Sequence, residues 1–208
     1  MDLFEDTDFF TSGSKGKTVF DLPDADIILY ESFFTKEESD YYYNHLLQQT
    51  KWEALDMSIY GKVHTVPRMI SWYEDAENLG ASTTRAPWTP ELLAIKSRIE
   101  AEGQIKFNSV LLNLYRNGSD AVGWHSDREK NFGKNAIIGS VTFGQTRPFR
   151  LRHKFRKDLP QVEILLNHGS FLLMAGTMQS FWEHQVPKTA KDIKPRINLT
   201  FRQVKRAG

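Results

Sequence analysis

Phe107-Asn108-Ser109-Val110-Leu111-Leu112-Asn113-Leu114-Tyr115 is where the chain changes character. Within it Val110, Leu112 and Leu114 share one face of a strand, and Asn113 and Tyr115 share the other, because strand side chains alternate with a period of two. Short β-rich segments follow at 136–143, 148–154, 161–166, 170–174, 181–186 and 196–204, separated by Gly, Asn and Pro. Upstream the signals are helical. Thr35 and Glu38 form a Thr-x-x-Glu capping box opening a helix to about Gln49, with Tyr42 and Leu46 on its buried face. A second helix starts at Thr89 with Pro90 in its first turn, runs through Leu92, Ile95 and Ile99, and stops before Gly103. Seven short strands after two helices predict an α+β, mainly β fold. It is expected to be a double-stranded β-helix, or jelly roll, with two or more supporting helices on one side. Residues 1–25 are polar and acidic and read as a loosely held N-terminal arm, with 26–208 as the folded domain.

The 208 residues are 40% hydrophobic and 25% charged, and no apolar run approaches a bilayer span, so a soluble intracellular protein, cytoplasmic and nucleoid-associated or nuclear, without a membrane partner is expected. There is no cysteine, which excludes thiol nucleophiles, zinc-thiolate sites and iron-sulfur clusters among these residues. Any metal must be held by His, Asp or Glu. The net charge of +1 conceals an asymmetry. Residues 1–146 carry 14 Lys+Arg against 22 Asp+Glu, and residues 147–208 carry 13 against 4. A basic last third suggests a polyanion on one face.

After the strand ending at Tyr115 comes Gly123-Trp124-His125-Ser126-Asp127. Alternate positions of an extended segment share a face, so His125 and Asp127 can present an imidazole and a carboxylate to one ion. His184, 57 residues after Asp127, could supply a third ligand. Two His and one carboxylate leave open positions on an octahedron, as in non-haem Fe(II) oxygenases; the same residues also fit a surface turn and an interior His. Arg196-Ile197-Asn198-Leu199-Thr200-Phe201-Arg202 alternates strictly, with two arginines on its polar face. Buried guanidiniums are costly unless they meet anions. A dicarboxylate would satisfy them, and Arg202 could equally pair with Asp127.

Together these residues resemble the AlkB-like family of Fe(II)- and 2-oxoglutarate-dependent dioxygenases. The matching elements are Asn113-x-Tyr115-x-x-Gly118 leading into His125-x-Asp127, then His168-Gly169-Ser170, His184, and Arg196 to Arg202. Tyr60-Gly61-Lys62-x-His64 with Pro67-Arg68, and Arg152-His153-Lys154, are most similar to members that act on duplex DNA. The resemblance implies that His125, Asp127 and His184 hold Fe(II). It implies that Arg196, Asn113, Tyr115, Asn198, Thr200 and Arg202 line the 2-oxoglutarate site. With O2, such an enzyme removes N-methyl groups from 1-methyladenine and 3-methylcytosine in DNA, releasing formaldehyde, succinate and CO2. Rival expectations are the same chemistry on RNA or a protein side chain, or a dormant nucleic-acid-binding homologue. The expected partner is duplex DNA with a flipped base, and the expected assembly a monomer.

Tyr60, in what reads as a hairpin tip, would fill the gap left by that base; the alternative is an ordinary packed or exposed tyrosine. Arg150, Arg152, Lys154 and Arg156 alternate on one face, and with His153 they are expected to contact phosphates. Such a run also fits a solvated strand edge. The chain departs from the duplex-acting members between Asp75 and Trp88, where their Tyr-x-Phe-Ser element is absent. Tyr73 and Trp72 are left as aromatics for the base pocket, with Glu129 and Arg68.

Overall fold

The computed structural model describes residues 10–59, 62–79, 84–127 and 135–204. In chain order they form β1 (Gly16–Leu22), β2 (Ala25–Glu31), α1 (Lys36–Gln49), β3 (Glu53–Ile59), β4 (Lys62–Glu74), α2 (Ala76–Leu79), β5 (Arg85–Pro87) and α3 (Pro90–Gly103). Then come β6 (Ser109–Tyr115), β7 (Val122–His125), β8 (Ile138–Gly144), β9 (Arg147–His153), β10 (Val162–Leu166), β11 (Ser170–Ala175), α4 (Met178–Phe181), β12 (Trp182–Val186) and β13 (Arg196–Arg202). The larger sheet has the order β1-β2-β11-β8-β13-β6-β4-β3, with β5 added parallel to β4; the smaller has the order β10-β9-β12-β7. Apart from β5 all pairings are antiparallel, and the two sheets face each other as the expected jelly roll.

The central strands of the larger sheet, β6, β8 and β13, are buried on both faces. On one side Leu112, Leu114, Phe143, Ile197, Leu199 and Phe201 pack in the same cluster as Leu46 of α1 and Leu92, Ile95 and Ile99 of α3. Each side chain of this kind contributes about 1.5–3 kcal/mol on burial. On the other side Ile138, Leu172 and Met174 meet Phe149, Leu151, Ile164 and Trp182 of the smaller sheet. The helices therefore brace the larger sheet from behind, and polar residues on its inner face are held against the smaller sheet.

Local signals explain the helices. Thr35 Oγ1 accepts from the Glu38 amide at 3.2 Å while Glu38 Oε2 accepts from the Thr35 amide at 2.8 Å, the expected capping box. Tyr43, not Tyr42, is the tyrosine of α1 that is fully buried; Tyr42 is partly covered. The second helix runs through Gly103, and Gln104 ends it in a left-handed conformation, φ 50°. Gly144, at φ +89°, ends β8 where a Cβ would lie 2.6 Å from the Pro195 carbonyl oxygen. Only glycine suits such a corner.

The N-terminal residues depart from the loosely held arm expected. Residues 16–22 pair along their whole length with β2, Ser12 bridges to His168, and Phe10 is buried against Tyr43. The four-residue helices α2 and α4 carried no sequence signal strong enough to stand out. Among the described residues no helix is long and apolar enough to cross a membrane.

Candidate active site

Two strands of the smaller sheet and the segment after one of them assemble the metal candidates. His125 ends β7, His184 sits directly opposite it on β12, and their rings are 4.3 Å apart. Asp127 follows β7 by two residues. The candidate ligand atoms of His125, Asp127 and His184 all lie within 4.8 Å of one another. His125 Nδ1 is 2.8 Å from the Gly123 carbonyl oxygen and donates to it, which leaves Nε2 with its lone pair for an ion. Burial pushes the His184 pKa down to about 3 against the pull of Asp127, so its imidazole is neutral near pH 7 and able to ligate. Burial raises the Asp127 pKa, but Arg202, His184 and His125 outweigh it and hold the carboxyl below its ordinary value.

Two contacts orient that carboxylate. Arg202 Nη2 donates to Asp127 Oδ1 at 2.6 Å, the pairing the sequence left open, and the Asp127 amide donates to Gln179 Oε1 at 2.8 Å. Lys154 Nζ donates to Ser126 Oγ and to the Gln179 carbonyl oxygen, both at 2.9 Å, which ties the end of β9 to the same segment. Gln179 was missed in the sequence because it belongs to a one-turn helix 52 residues from Asp127. No local pattern marks it.

The floor of the cleft is the inner face of β6, β13 and β8. Antiparallel register sets Tyr115 opposite Arg196 and Asn113 opposite Asn198, and on the other side Thr142 opposite Asn198 and Ser140 opposite Thr200. Directly opposed residues share a face, so these seven polar side chains line up. Asn198 Nδ2 donates to Ser140 Oγ at 2.8 Å and Thr200 Oγ1 to Asn198 Oδ1 at 3.1 Å. Arg68 Nε donates to Asn113 Oδ1 at 2.7 Å. Ser140 and Thr142 carried the same alternation as β13 and were legible in principle.

Arg196 is 1% exposed, and its guanidinium lies 5.1 Å from the Tyr115 ring. Only Nη2 has a partner, Thr142 Oγ1 at 3.0 Å; Nε and Nη1 are buried with none. Burial lowers its pKa to about 10, against Tyr115. It remains a cation, and among the described residues no carboxylate is hydrogen-bonded to it. The cleft encloses about 480 Å³, open solvent included, and is lined by the three metal candidates, by Asn113, Tyr115, Arg196, Asn198, Thr200 and Arg202, and by Arg68. Val122, Phe149, Met174 and Val186 form its apolar walls.

Other expected site residues are placed elsewhere. Tyr73 lies opposite Val110, which turns it away from the cleft into the helix-side core. Trp72 is on the cleft side of the sheet but donates to Ser109 Oγ at 2.6 Å and stacks under Arg85, 4.7 Å from its ring. Neither lines the cleft. His153 is buried, not a phosphate contact. Its Nδ1 accepts from the Phe155 and Arg156 amides, and Nε2 faces Asp24 Oδ2 at 3.4 Å. Arg150 pairs with Glu163, Arg152 with Glu183, and Arg156 with Asp158, each at 2.7 Å. Tyr60 and Glu129 lie outside the described residues.

The comparisons agree with this geometry. A profile of the 2OG-Fe(II) oxygenase superfamily matches residues 26–202. The chain is 37% identical over 188 residues to the alpha-ketoglutarate-dependent dioxygenase alkB homolog 3 of Homo sapiens, a match covering 86% of this chain and 66% of that protein. It thus spans just under two thirds of that relative. It is 35% identical over 189 residues to the DNA oxidative demethylase ALKBH2 of Mus musculus, covering 84% of this chain and 79% of that one. Among solved structures, OsALKBH1 superposes with a TM-score of 0.62 at 18% identity over 88% of this chain and 100% of that one, which is a likeness of fold.

Proposed function

The chain belongs to the 2OG-Fe(II) oxygenase superfamily, and from that membership we propose that it is a DNA-repair dioxygenase that uses Fe(II), 2-oxoglutarate and O2 to demethylate N-alkylated bases such as 1-methyladenine and 3-methylcytosine. The observation that carries this reading is one cleft holding two imidazoles and a carboxylate within 4.8 Å, above a buried arginine with two unpartnered guanidinium nitrogens. The choice of DNA draws on the relatives, one of which is named a DNA oxidative demethylase.

The residues fit both groups. A set of two imidazoles and a carboxylate suits Fe(II), so His125, Asp127 and His184 would hold it. The open donors of Arg196 suit a carboxylate, which a planar guanidinium binds in a two-pronged fashion. Arg196 would therefore take the distal carboxylate of 2-oxoglutarate, with Tyr115 and Asn113 holding the cosubstrate in place. When bound, the group supplies oxidative decarboxylation to succinate and CO2, coupled to oxidation of the N-methyl group and its loss as formaldehyde. The protein's own part is orientation and exclusion. Arg202 keeps Asp127 ionised and aimed, the Gly123 carbonyl sets the tautomer of His125, and Phe149, 5.0 Å from the His184 ring, keeps water from that side.

A base within a duplex must leave the stack to reach such a cleft. We place duplex DNA with a flipped base as a substrate form, and Tyr60 as the residue that fills the gap, on the strength of its sequence motif. The test is formaldehyde release from matched substrates: one lesion in single- and double-stranded DNA, in RNA, and a methylated peptide. Release from the DNA substrates, lost in Asp127→Asn, supports the reading. Release from RNA or peptide alone, or none from wild type, overturns it.

A further inference from the structure

Strand β9 and the turn after it differ in charge balance. On β9 the outward Arg150 and Arg152 meet Glu163 and Glu183, and Arg152 also lies 4.3 Å from the Trp124 ring. That pair of cations is matched by a pair of anions. Residues 155–158, Phe-Arg-Lys-Asp, set two cations against one anion. Among them Phe155 is 68% exposed, although folding ordinarily buries phenylalanine. Its ring meets Phe181 and His153 edge-on, at 6.1 and 6.2 Å.

This turn is held in place. The Phe155 and Arg156 amides donate to the buried His153 Nδ1 at 3.2 and 2.9 Å, and Lys157 Nζ donates to the Lys154 carbonyl oxygen at 2.7 Å. It also adjoins the cleft, since Lys154 Nζ reaches Ser126, the residue between His125 and Asp127. A fixed, exposed aromatic ring in a positive surround is the combination by which proteins hold unpaired bases, the ring stacking and the cations following the backbone.

We propose that Phe155 is a stacking platform for an unpaired base of single-stranded DNA, with Arg156 and Lys157 at the flanking phosphates, gripping the strand beside the nucleotide in the cleft. The inference rests on the DNA reading above. An intact duplex hides its base faces, so the platform favours single strands. The Arg156–Asp158 pair is solvent-exposed on both sides and exchanges for a phosphate at little cost.

The experiment measures the affinity of the whole protein for a fluorescein-labelled oligo-dT and for a blunt duplex of equal length, at one salt concentration. Phe155→Ala should weaken oligo-dT binding on the order of tenfold, as loss of one stacked base does, and change duplex binding less than twofold. Phe155→Trp should restore it. An unchanged melting temperature shows that the variant is folded. If wild type binds neither DNA, the DNA reading falls and this inference with it. If wild type binds oligo-dT and Phe155→Ala binds equally well, or both DNAs lose affinity alike, the inference alone is overturned.

Discussion

β13 and β9 carry the same kind of sequence, alternating strands with arginines on one face, and they come to opposite ends. On β13 the arginine face points between the sheets, where Arg196 and Arg202 are buried. One is matched by Asp127 and the other has two guanidinium nitrogens without partners. On β9 Arg150 and Arg152 point out of the smaller sheet, and each of the two has a glutamate, while Arg147 on the other face is buried among backbone carbonyls. An unmatched cation in the interior is expensive, and an exposed pair contributes little. The strand whose arginine face is buried is the one that lines the cleft.

Breaking the matched end of β13 should have the largest effect. Asp127→Ala should reduce turnover to background and remove the carboxylate that Arg202 Nη2 contacts, a loss of about 3–5 kcal/mol for such buried pairs. Metal content after Mn(II) reconstitution and thermal unfolding measure the two parts. Asp127→Asn, which keeps the shape, separates them: turnover should still vanish while most of the stability returns.

The unmatched end comes next. Arg196→Lys should raise the 2-oxoglutarate concentration needed for half-maximal rate by tenfold or more, since an ammonium cannot reproduce the two-pronged contact. Arg150→Lys on β9 should leave that concentration unchanged. Equal behaviour of the two would mean that burial on β13 has no bearing on cosubstrate binding.

A smaller effect is expected where the two strands communicate. Gln179 accepts from the Asp127 amide and its carbonyl oxygen accepts from Lys154 at the end of β9. Gln179→Ala should lower metal affinity about tenfold, in the range for residues that orient ligands, read by titration with Mn(II). Smallest of all, Arg150→Ala with Arg152→Ala should shift stability by no more than about 1 kcal/mol. Their removal should reduce the dependence of oligonucleotide affinity on salt by less than the two full contacts a free phosphate ladder would give. A loss of two contacts would show that the glutamates are exchanged for phosphates on binding.

The elements that were legible share a property: their signals are local. The Thr35–Glu38 box, the Pro90 start and the strict alternation of β13 each follow from side-chain geometry within a few residues. His125 and Asp127, two apart on an extended segment, likewise had to share a side. Tyr73 was misjudged because the deciding quantity was register. A shift of one residue relative to β6 exchanges cleft for core, and nothing within 71–75 states which residue faces Val110. His153 was misjudged for a related reason, its partners being Asp24, 129 residues away, and the turn that it caps.

By itself, the sequence determined the chemistry available: no thiolate, a His-x-Asp with a later His, and a strand with a polar and an apolar face. Those follow from residue type and the period of the backbone, which need no knowledge of neighbours. Tertiary structure alone decided which charges are matched. Glu163, Glu183 and Asp158 neutralise Arg150, Arg152 and Arg156, and among the described residues no carboxylate is hydrogen-bonded to Arg196. Whether a charge is satisfied depends on what lies within about 4 Å of it, and in a sheet of crossed connections that is set by strands distant in the chain.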